Sequence, residues 1–285
     1  MKNVFTCSGR WWKGNTHAHT TNSDGQFRPE EICPAYRDAG YDFLCITDHH
    51  KITRDVYIPE DFLVIPGAEL NNDAFHVVAI GLEEIFSEEE MSHQEIVDGI
   101  LARDAIPIIA HPYWSALTSQ DILRLTGYTG IEVYNNVTEV IRGKGYSSVH
   151  WDEILQNGTM TWGMAADDTH AKETGMASWI MVKTPSLTPE NIYAALRGGL
   201  FYSSTGVTIE NVGISGDLIT VACSPAVSID FIGYGATGNR VFRSDGSLTG
   251  AEHRLKGNEK YLRVEITDGT GKKAWTNPLW TEADG

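Results

Sequence analysis

The stretch "FRPEEICPAYRDAGYDFLCITDHH", residues 27–50, joins a helical pattern to a buried-strand pattern and ends on acidic and imidazole side chains. Apolar residues three and four positions apart predict a helix that Gly40 closes. Pro34 predicts a kink or a late start, because interior proline destabilises a helix by about 3 kcal/mol. The apolar run over 41–47 predicts a buried strand. A strand therefore delivers His49 at its carboxyl end.

Six further apolar runs repeat this strand pattern through the first two thirds of the chain, separated by segments with helix signals. Ser87 stands three residues before Glu90, the spacing of a capping box, and Thr188 with Pro189 predicts another helix start. Alternating strands and helices predict a mainly parallel α/β sheet. Seven strands favour a barrel, with an open doubly wound sheet as the alternative. The six runs are 62–67, 75–81, 106–111, 130–135, 160–166 and 177–183.

The pattern changes after about residue 204, where period-two segments such as "YLRVEIT" alternate with turns such as Ser-Asp-Gly. Such segments predict a small antiparallel β domain of the sandwich type. We therefore predict an α/β domain over residues 1–206 and an all-β domain over residues 207–285.

Composition narrows the class of partner. The 285 residues carry a formal charge of −16, whereas a nucleic-acid groove needs clustered Lys and Arg, so a small ligand is expected and an extended nucleic acid is not. No apolar run approaches the roughly 18 to 20 residues of a membrane span, and the amino-terminal residues lack a signal-peptide pattern. Four scattered cysteines suit reduced thiols. We expect a cytoplasmic protein without membrane contact.

Potential metal ligands recur where the apolar runs end. In parallel α/β folds the carboxyl ends of strands converge on one face, so residues distant in sequence meet there. Imidazole and carboxylate groups without thiolates suit zinc, manganese or iron. Nine such groups are too many for one ion and fit two or three. They are His17, His19, Asp24, His49, Glu69, His76, His111, Asp168 and His170.

Each of these residues also has an ordinary interpretation when it is taken alone. His17 and His19 face the same side of an extended strand, but such a pair by itself is weak evidence for a metal. His76 suits a hydrogen-bonded core position, His111 a strand end and Asp24 a turn. Their coincidence at strand ends is what favours a metal centre.

The motifs "THAHTTNSDGQFRPEEICPAYRDAGYDFLCITDHH", "GAEL", "FHVVAIG", "IIAHP" and "ADDTH" resemble, in order and type, those of the PHP (polymerase and histidinol phosphatase) family. The resemblance covers about residues 12–205 and implies a distorted seven-stranded β/α barrel that binds up to three metals. The leading Trp-x-Lys-Gly-Asn, "DDTH" and "KKAWTNPLW" are similar to the carbaryl-hydrolase-like subgroup, which carries an appended β-sandwich.

This resemblance implies a distribution of the ligands over two or three divalent ions of manganese, zinc or iron. It places His17, His19, Glu69 and Asp168 on a first metal, with Glu69 bridging to a second. His76 and His111 complete the second site, and Asp24, His49 and His170 form the third. Asp24 stands where some relatives have histidine.

Phosphoester hydrolysis is the activity that the resemblance implies. The nucleophile would be a water bridging two cations about 3.5 to 4 Å apart. Asp48, Glu132 and Asp167 are candidates for accepting the second N–H of a ligating histidine. The substrate would be a small phosphomonoester, phosphodiester or cyclic phosphate. Hydrolysis of a carboxyl ester, carbamate or amide is the rival activity, and a non-catalytic metal-stabilised binding module is the rival class.

Basic residues near the predicted strand ends are candidates for binding a second phosphate or another anionic group of the substrate. Arg142 follows the run over 130–135, and Lys172 lies beside His170, so these two are the best placed. His50, next to His49, is a candidate pocket residue. The remaining basic candidates are Lys51, Arg54 and Lys144.

Overall fold

Residues 3–280 are described here from a computed structural model. All seven predicted runs form strands, β2 to β8, and β1 and β9 are two strands that the pattern did not predict. The nine are β1 (Arg10–Asn15), β2 (Phe43–Ile46), β3 (Leu63–Asn72), β4 (Phe75–Ile80), β5 (Ile106–Ile109), β6 (Gly130–Asn135), β7 (Trp162–Ala166), β8 (Trp179–Thr184) and β9 (Phe201–Ser204).

Six α-helices lie between and beside these strands. They are α1 (Pro29–Asp38), α2 (His93–Leu101), α3 (Ser119–Leu123), α4 (Asn136–Arg142), α5 (Ser148–Gln156) and α6 (Pro189–Gly198). The predicted start of α6 is confirmed, since Thr188 caps it and accepts a hydrogen bond from Asn191 N. Short 3₁₀ turns occupy Val4–Thr6 and Lys172–Thr174.

The structure differs from the sequence pattern at the starts of two helices. The cap of α2 is Ser92, paired with Glu95, and not Ser87 with Glu90. Both pairs have capping-box spacing, but only Ser92 with Glu95 stands directly before the apolar face of the helix. At α1, the alternative of a late start is contradicted, since the helix begins at Pro29 and runs through Pro34, and the alternative of a kink stays a prediction. The hydrogen bond that Pro34 cannot donate would reach only the first turn.

The strands of this part pair in the order β8-β1-β2-β3-β4-β5-β6-β7. The pairs β1–β2, β2–β3, β5–β6 and β6–β7 are parallel, whereas β4 is antiparallel to both of its neighbours. The sheet is thus rich in parallel pairs, as predicted, but it has an antiparallel section at β4, because only Asp73 and Ala74 separate β3 from β4. A parallel return needs a dozen or more residues. Closure of these strands into a barrel stays a prediction.

The remaining strands are antiparallel to their neighbours, as predicted for the carboxyl-terminal part. They are β10 (Ile209–Ser215), β11 (Leu218–Ala226), β12 (Ser228–Gly233), β13 (Gly238–Phe242), β14 (Leu248–Arg254), β15 (Tyr261–Thr267), β16 (Lys273–Thr276) and β17 (Leu279–Trp280). β10, β11 and β14 form a separate sheet, while β16 pairs with β9 and continues the large sheet. The boundary at 206/207 stays a prediction.

Alternation along β2 shows how the core is arranged. Phe43 and Cys45 face a cluster that includes residues of β3, β4, β5, β7 and β8 together with the apolar side of α6. Leu44 and Ile46 face the opposite way and pack with α1. The strands are thus buried on both faces, and their ends are held in fixed positions. Within residues 3–280, no helix is long and apolar enough to span a membrane.

Candidate metal centre

The nine predicted ligands lie at one end of the paired strands. Glu69 departs from the expected position at a strand end, because β3 extends to Asn72 and places Glu69 within it, whereas His76 lies within β4 as its apolar run predicts. The other seven follow strands: His17, His19 and Asp24 follow β1, His49 follows β2, His111 follows β5, and Asp168 and His170 follow β7.

Backbone hydrogen bonds join the segment after β1 to the segment after β7. Asp168 N donates to His17 O at 3.0 Å, and His19 N donates to Thr169 O at 3.1 Å. Ala18 between the two histidines is fully buried in the cluster beside α1, on the side away from the centre. Both imidazoles therefore project to one side, as alternation in extended backbone predicts.

His17, His19, Glu69 and Asp168 form the most buried group of ligands. The Nε2 atoms of His17 and His19 lie 3.0 Å apart. One oxygen of Asp168 lies 3.2 and 3.1 Å from these two nitrogens, and Glu69 Oε2 lies 3.2 and 3.3 Å from them. The four donor atoms all fall within 4.8 Å of one another, a spacing that fits one cation.

The two buried carboxylates of this group create a site that favours a positive charge. Asp168 Oδ1 is buried and has no hydrogen-bond partner among the described residues. Burial alone would lower the pKa of His19, but Asp168 and Glu69 raise it to about 9. Burial likewise opposes the charge on His17, yet Asp168, Glu69 and Glu132 raise its pKa well above the usual value. Two carboxylates thus converge where a positive charge is needed, and the donor set fits a divalent metal.

Glu69 extends the group toward a second one. Its Oε1 lies 2.8 Å from His76 Nδ1 and 3.1 Å from His111 Nε2, while its Oε2 faces His17 and His19. His49 Nδ1 also lies 3.3 Å from Oε2. A carboxylate whose two oxygens face different sets of imidazoles has the geometry of a bridge between two ions.

The third predicted set meets at the solvent edge of the centre. Asp24 is about half exposed, but its Oδ2 lies 3.2 Å from His170 Nε2 and 3.7 Å from His49 Nε2. The hydrogen bond from His170 lowers the pKa of Asp24 to about 2. His19 completes a four-residue cluster with these three. Asp24 therefore faces the centre and not bulk solvent alone, while the assignment of each ligand to an ion stays a prediction.

One of the three predicted supporting carboxylates contacts ligand histidines. Glu132 Oε1 lies 2.7 Å from His17 Nδ1, and its Oε2 accepts the backbone N–H of His111 at 2.9 Å. Asp48 and Asp167 need correction. Asp48 accepts hydrogen bonds from Thr20 and its neighbours in the turn after β1. Short polar side chains compete for that carboxylate and keep it away from the imidazoles.

Asp167 also turns away from the ligands, toward the loop before β8. It accepts hydrogen bonds from Tyr36 and from the backbone N–H groups of Met176, Ala177 and Ser178. Burial raises its pKa to about 6 despite these bonds. Its role in the structure is to hold the loop that follows Asp168.

Two supporting residues were missed by sequence reasoning. Asn135 donates to Glu132 Oε2 at 2.7 Å and to Asp168 Oδ2 at 3.1 Å, and it caps α4 by accepting from Thr138 N. Ser115 Oγ lies 3.1 Å from His111 Nδ1. An asparagine that ends a strand and stands eight residues before a glycine is a helix-start signal that would have revealed Asn135 and α4.

A cavity of about 310 Å³ opens beside the ligands, and Arg142 is among its lining residues, while binding of an anionic group by Arg142 stays a prediction. His50 and Lys172 need correction, because acidic neighbours draw them elsewhere: His50 pairs with Glu88, and Lys172 Nζ lies 3.2 Å from Glu31. The lining residues are Asp24, His49, Glu69, His76, His111, Trp114, Val137, Thr138, Ile141, Arg142, Asp168 and His170.

The other basic candidates also lie outside the residues that line this cavity. Arg54 pairs with Glu83, and Lys144 Nζ lies 5.5 Å from the ring centre of Tyr113. Lys51 is exposed. Among the predicted basic residues, Arg142 is therefore the one that the fold brings to the cavity wall.

Comparison with solved structures shows the fold. A two-domain protein from Bacteroides vulgatus that contains a predicted PHP-like metal-dependent phosphoesterase aligns over 95% of this chain and 96% of its own, with a TM-score of 0.54 and 16% identity. PsfC from Pseudomonas syringae aligns over 66% of this chain and 90% of its own, with a TM-score of 0.50 and 14% identity. No protein-family model and no curated protein matches the sequence.

Fold and site thus define a protein of PHP-like fold with a cluster of His, Asp and Glu side chains that could hold metal. The predicted resemblance to PHP-like proteins is confirmed at the level of the fold. The more specific resemblance to the carbaryl-hydrolase-like subgroup stays a prediction.

Proposed function

We propose that this protein is a metal-dependent hydrolase of small phosphoesters. The observation that carries the proposal is the position of Glu69, whose two oxygens face different sets of imidazoles in the lining of an open cavity. A bridging carboxylate is typical of centres in which two cations act on one substrate. The likeness to a predicted phosphoesterase adds a shared fold to this argument.

The two buried groups around Glu69 would hold the first two ions, and Asp24, His49 and His170 with His19 would hold a third. Imidazole and carboxylate donors suit manganese, zinc or iron. When bound, such ions lower the pKa of a water and neutralise charge on phosphoryl oxygens.

Other residues of the chain would orient the metal ligands and bind the substrate. Glu132 fixes the ring of His17 through Nδ1, so that Nε2 points into the centre. Asn135 holds Glu132 and Asp168 in place together. Arg142 stands at the cavity wall, where its guanidinium donates to the backbone oxygen of Ile141 at 3.3 Å. A guanidinium has further N–H groups beyond this one, and these favour binding of an anionic substrate group.

The test combines metal analysis with a comparison of substrates. Protein loaded with manganese should bind at least two ions per chain and hydrolyse p-nitrophenyl phosphate or bis-p-nitrophenyl phosphate. His17→Asn should abolish turnover and reduce the metal content. His93→Gln, in α2 outside the centre, is the matched control and should change neither.

Other outcomes identify the rival functions. Activity restricted to 1-naphthyl esters or carbamates would replace phosphoester hydrolysis with carbonyl hydrolysis. If no substrate is hydrolysed and His17→Asn changes only the stability, the domain is a non-catalytic metal-stabilised module.

A further inference from the structure

The cavity lining combines two chemically different groups of side chains. Beside the predicted metal ligands it includes the apolar side chains of Trp114, Val137 and Ile141. Trp114 is 39% exposed and Ile141 is 52% exposed. Apolar surface left open beside a polar centre is unfavourable in water and is typical of a binding site.

Trp114 belongs to the same turn as a predicted ligand. Ser115 N donates to His111 O at 3.1 Å, which closes the turn that contains the tryptophan. The indole stands nearly perpendicular to the rings of His111 and His76, at centroid distances of 4.9 and 5.6 Å. A group attached to a phosphoryl at the metal centre would therefore come directly beside the indole.

Val137 and Ile141 reach the cavity from α4, and this helix is firmly held. Asn136 Nδ2 donates to Thr174 O at 2.7 Å, and Val137 N donates to Asp167 O at 3.1 Å. Gly143 ends the helix in the left-handed conformation at φ 65°. Val137 and Ile141 thus project from a helix whose first residues are hydrogen-bonded to the segment around Asp167 and Thr174, which favours a preformed ligand site.

We infer that the substrate is a phosphoester of an alcohol that carries an aromatic or similarly large apolar group, with Trp114 and Ile141 determining specificity. The inference rests on the proposed function. In the reaction, a water oxygen forms a new bond to phosphorus, the bond from phosphorus to the ester oxygen breaks, and the alcohol leaves with one of the water's protons. A cavity of about 310 Å³ accommodates a phosphoryl and one ring system.

The test compares benzyl phosphate with ethyl phosphate, because both release a primary alcohol and differ mainly in the ring. We expect kcat/KM to be about tenfold or more higher for benzyl phosphate, since the ring would bury apolar area against the wall. Ile141→Ala should lower that ratio about threefold or more. Val140→Ala, on the same helix but outside the cavity lining, should leave it unchanged. Trp114→Leu should lower it as well.

Binding of benzylphosphonate and ethylphosphonate to the metal-loaded protein, measured by calorimetry, gives a readout without turnover. Equal kcat/KM values for the two phosphates together with equal phosphonate affinities would overturn the inference and leave phosphoester hydrolysis standing. If neither phosphate is hydrolysed but benzylphosphonate binds more tightly and loses this preference in Ile141→Ala, the apolar subsite stands and the proposed function fails.

Discussion

Glu132 and His17 form the contact that orders the centre: Oε1 of the carboxylate lies 2.7 Å from Nδ1 of the ring, and both are buried. The other oxygen accepts from His111 N and from Asn135 Nδ2. One carboxylate in β6 thus positions two predicted ligands that are 94 residues apart in the chain. Its two oxygens act only as acceptors in this arrangement.

Glu132→Gln should weaken metal binding about 10-fold to 100-fold. An amide offers one acceptor oxygen, so its NH₂ group would face either His17 Nδ1 or the donors at Oε2. Titration of metal-free protein with manganese, followed by calorimetry, measures the effect. Glu210→Gln, exposed on β10, is the matched control. An affinity equal to that of the unaltered protein would show that Glu132 has only a structural role.

Arg142→Met should lower kcat/KM about 10-fold for a substrate with a second anionic group, such as 4-carboxybenzyl phosphate. The effect on benzyl phosphate should be smaller, because this substrate has no additional carboxylate for Arg142 to bind. Lys172→Met is the control, since Lys172 pairs with Glu31 outside the cavity. Equal losses for both substrates would assign Arg142 to the phosphoryl group itself.

Glu265 gives a prediction about pH that does not involve the metal centre. Burial raises the pKa of its carboxyl, but Arg263 and Lys273 outweigh burial and hold it below the usual 4.5. A lowered folded-state pKa contributes stability above the unfolded value, and this contribution is lost as the pH falls through the folded value. Glu265→Gln should therefore lower the free energy of unfolding by about 1 to 3 kcal/mol at pH 7.

That difference should shrink as the pH falls below about 4.5, because the unfolded chain takes up a proton there first, and it should vanish once the pH is below the lower folded-state pKa. Denaturant unfolding at several pH values measures it. Glu252→Gln, exposed on β14, should show no such dependence. A difference that stays constant down to strongly acidic pH would mean that the effect comes from packing and not from charge.

Gly163→Ala should destabilise the fold. A Cβ at this position in β7 would lie 2.6 to 2.8 Å from the ring of Trp151, which is fully buried and has no room to move. Overpacking of this kind costs about 1 to 3 kcal/mol. Gly198→Ala, in α6, meets nothing closer than 3.6 Å and should be neutral or slightly stabilising. Thermal unfolding of the two variants tests the contrast, and equal midpoints would contradict it.

The strands that carry the ligands could be predicted because they are buried on both faces and read as continuous apolar runs. β1 and β9 were not predicted, because their sequences do not form a continuous apolar run. β9 contains Ser203 and Ser204, which are fully buried but satisfied by hydrogen bonds to Gly163 O and Val207 O. Polar residues that find partners only in the tertiary structure leave no apolar pattern in the sequence.

The positions of most ligands could be predicted from the ends of the apolar runs. The hydrogen-bond partners of the carboxylates could not be predicted in this way. Asp167 and Asp168 are adjacent in sequence, yet one turns to the loop before β8 and the other to the imidazoles. Asp168 has a positive φ of 53°, a local conformation that sequence patterns rarely reveal. Lys172 and His50 lost their predicted role in the same way, through acidic neighbours that only the folded chain brings near.

The pairing of β9 with β16 has a practical consequence for dissecting the molecule. A fragment ending at residue 206 would lose the strand that covers the edge of β9, along with Trp275, which is fully buried in the core shared with β4 and β6. It would also lose Asn277 Oδ1, which accepts the N–H of Gly163. Exposed strand edges of this kind recruit other chains and aggregate. The carboxyl-terminal strands thus protect the edge of the sheet that carries the ligands from pairing with other chains. Removal of these strands should yield insoluble protein.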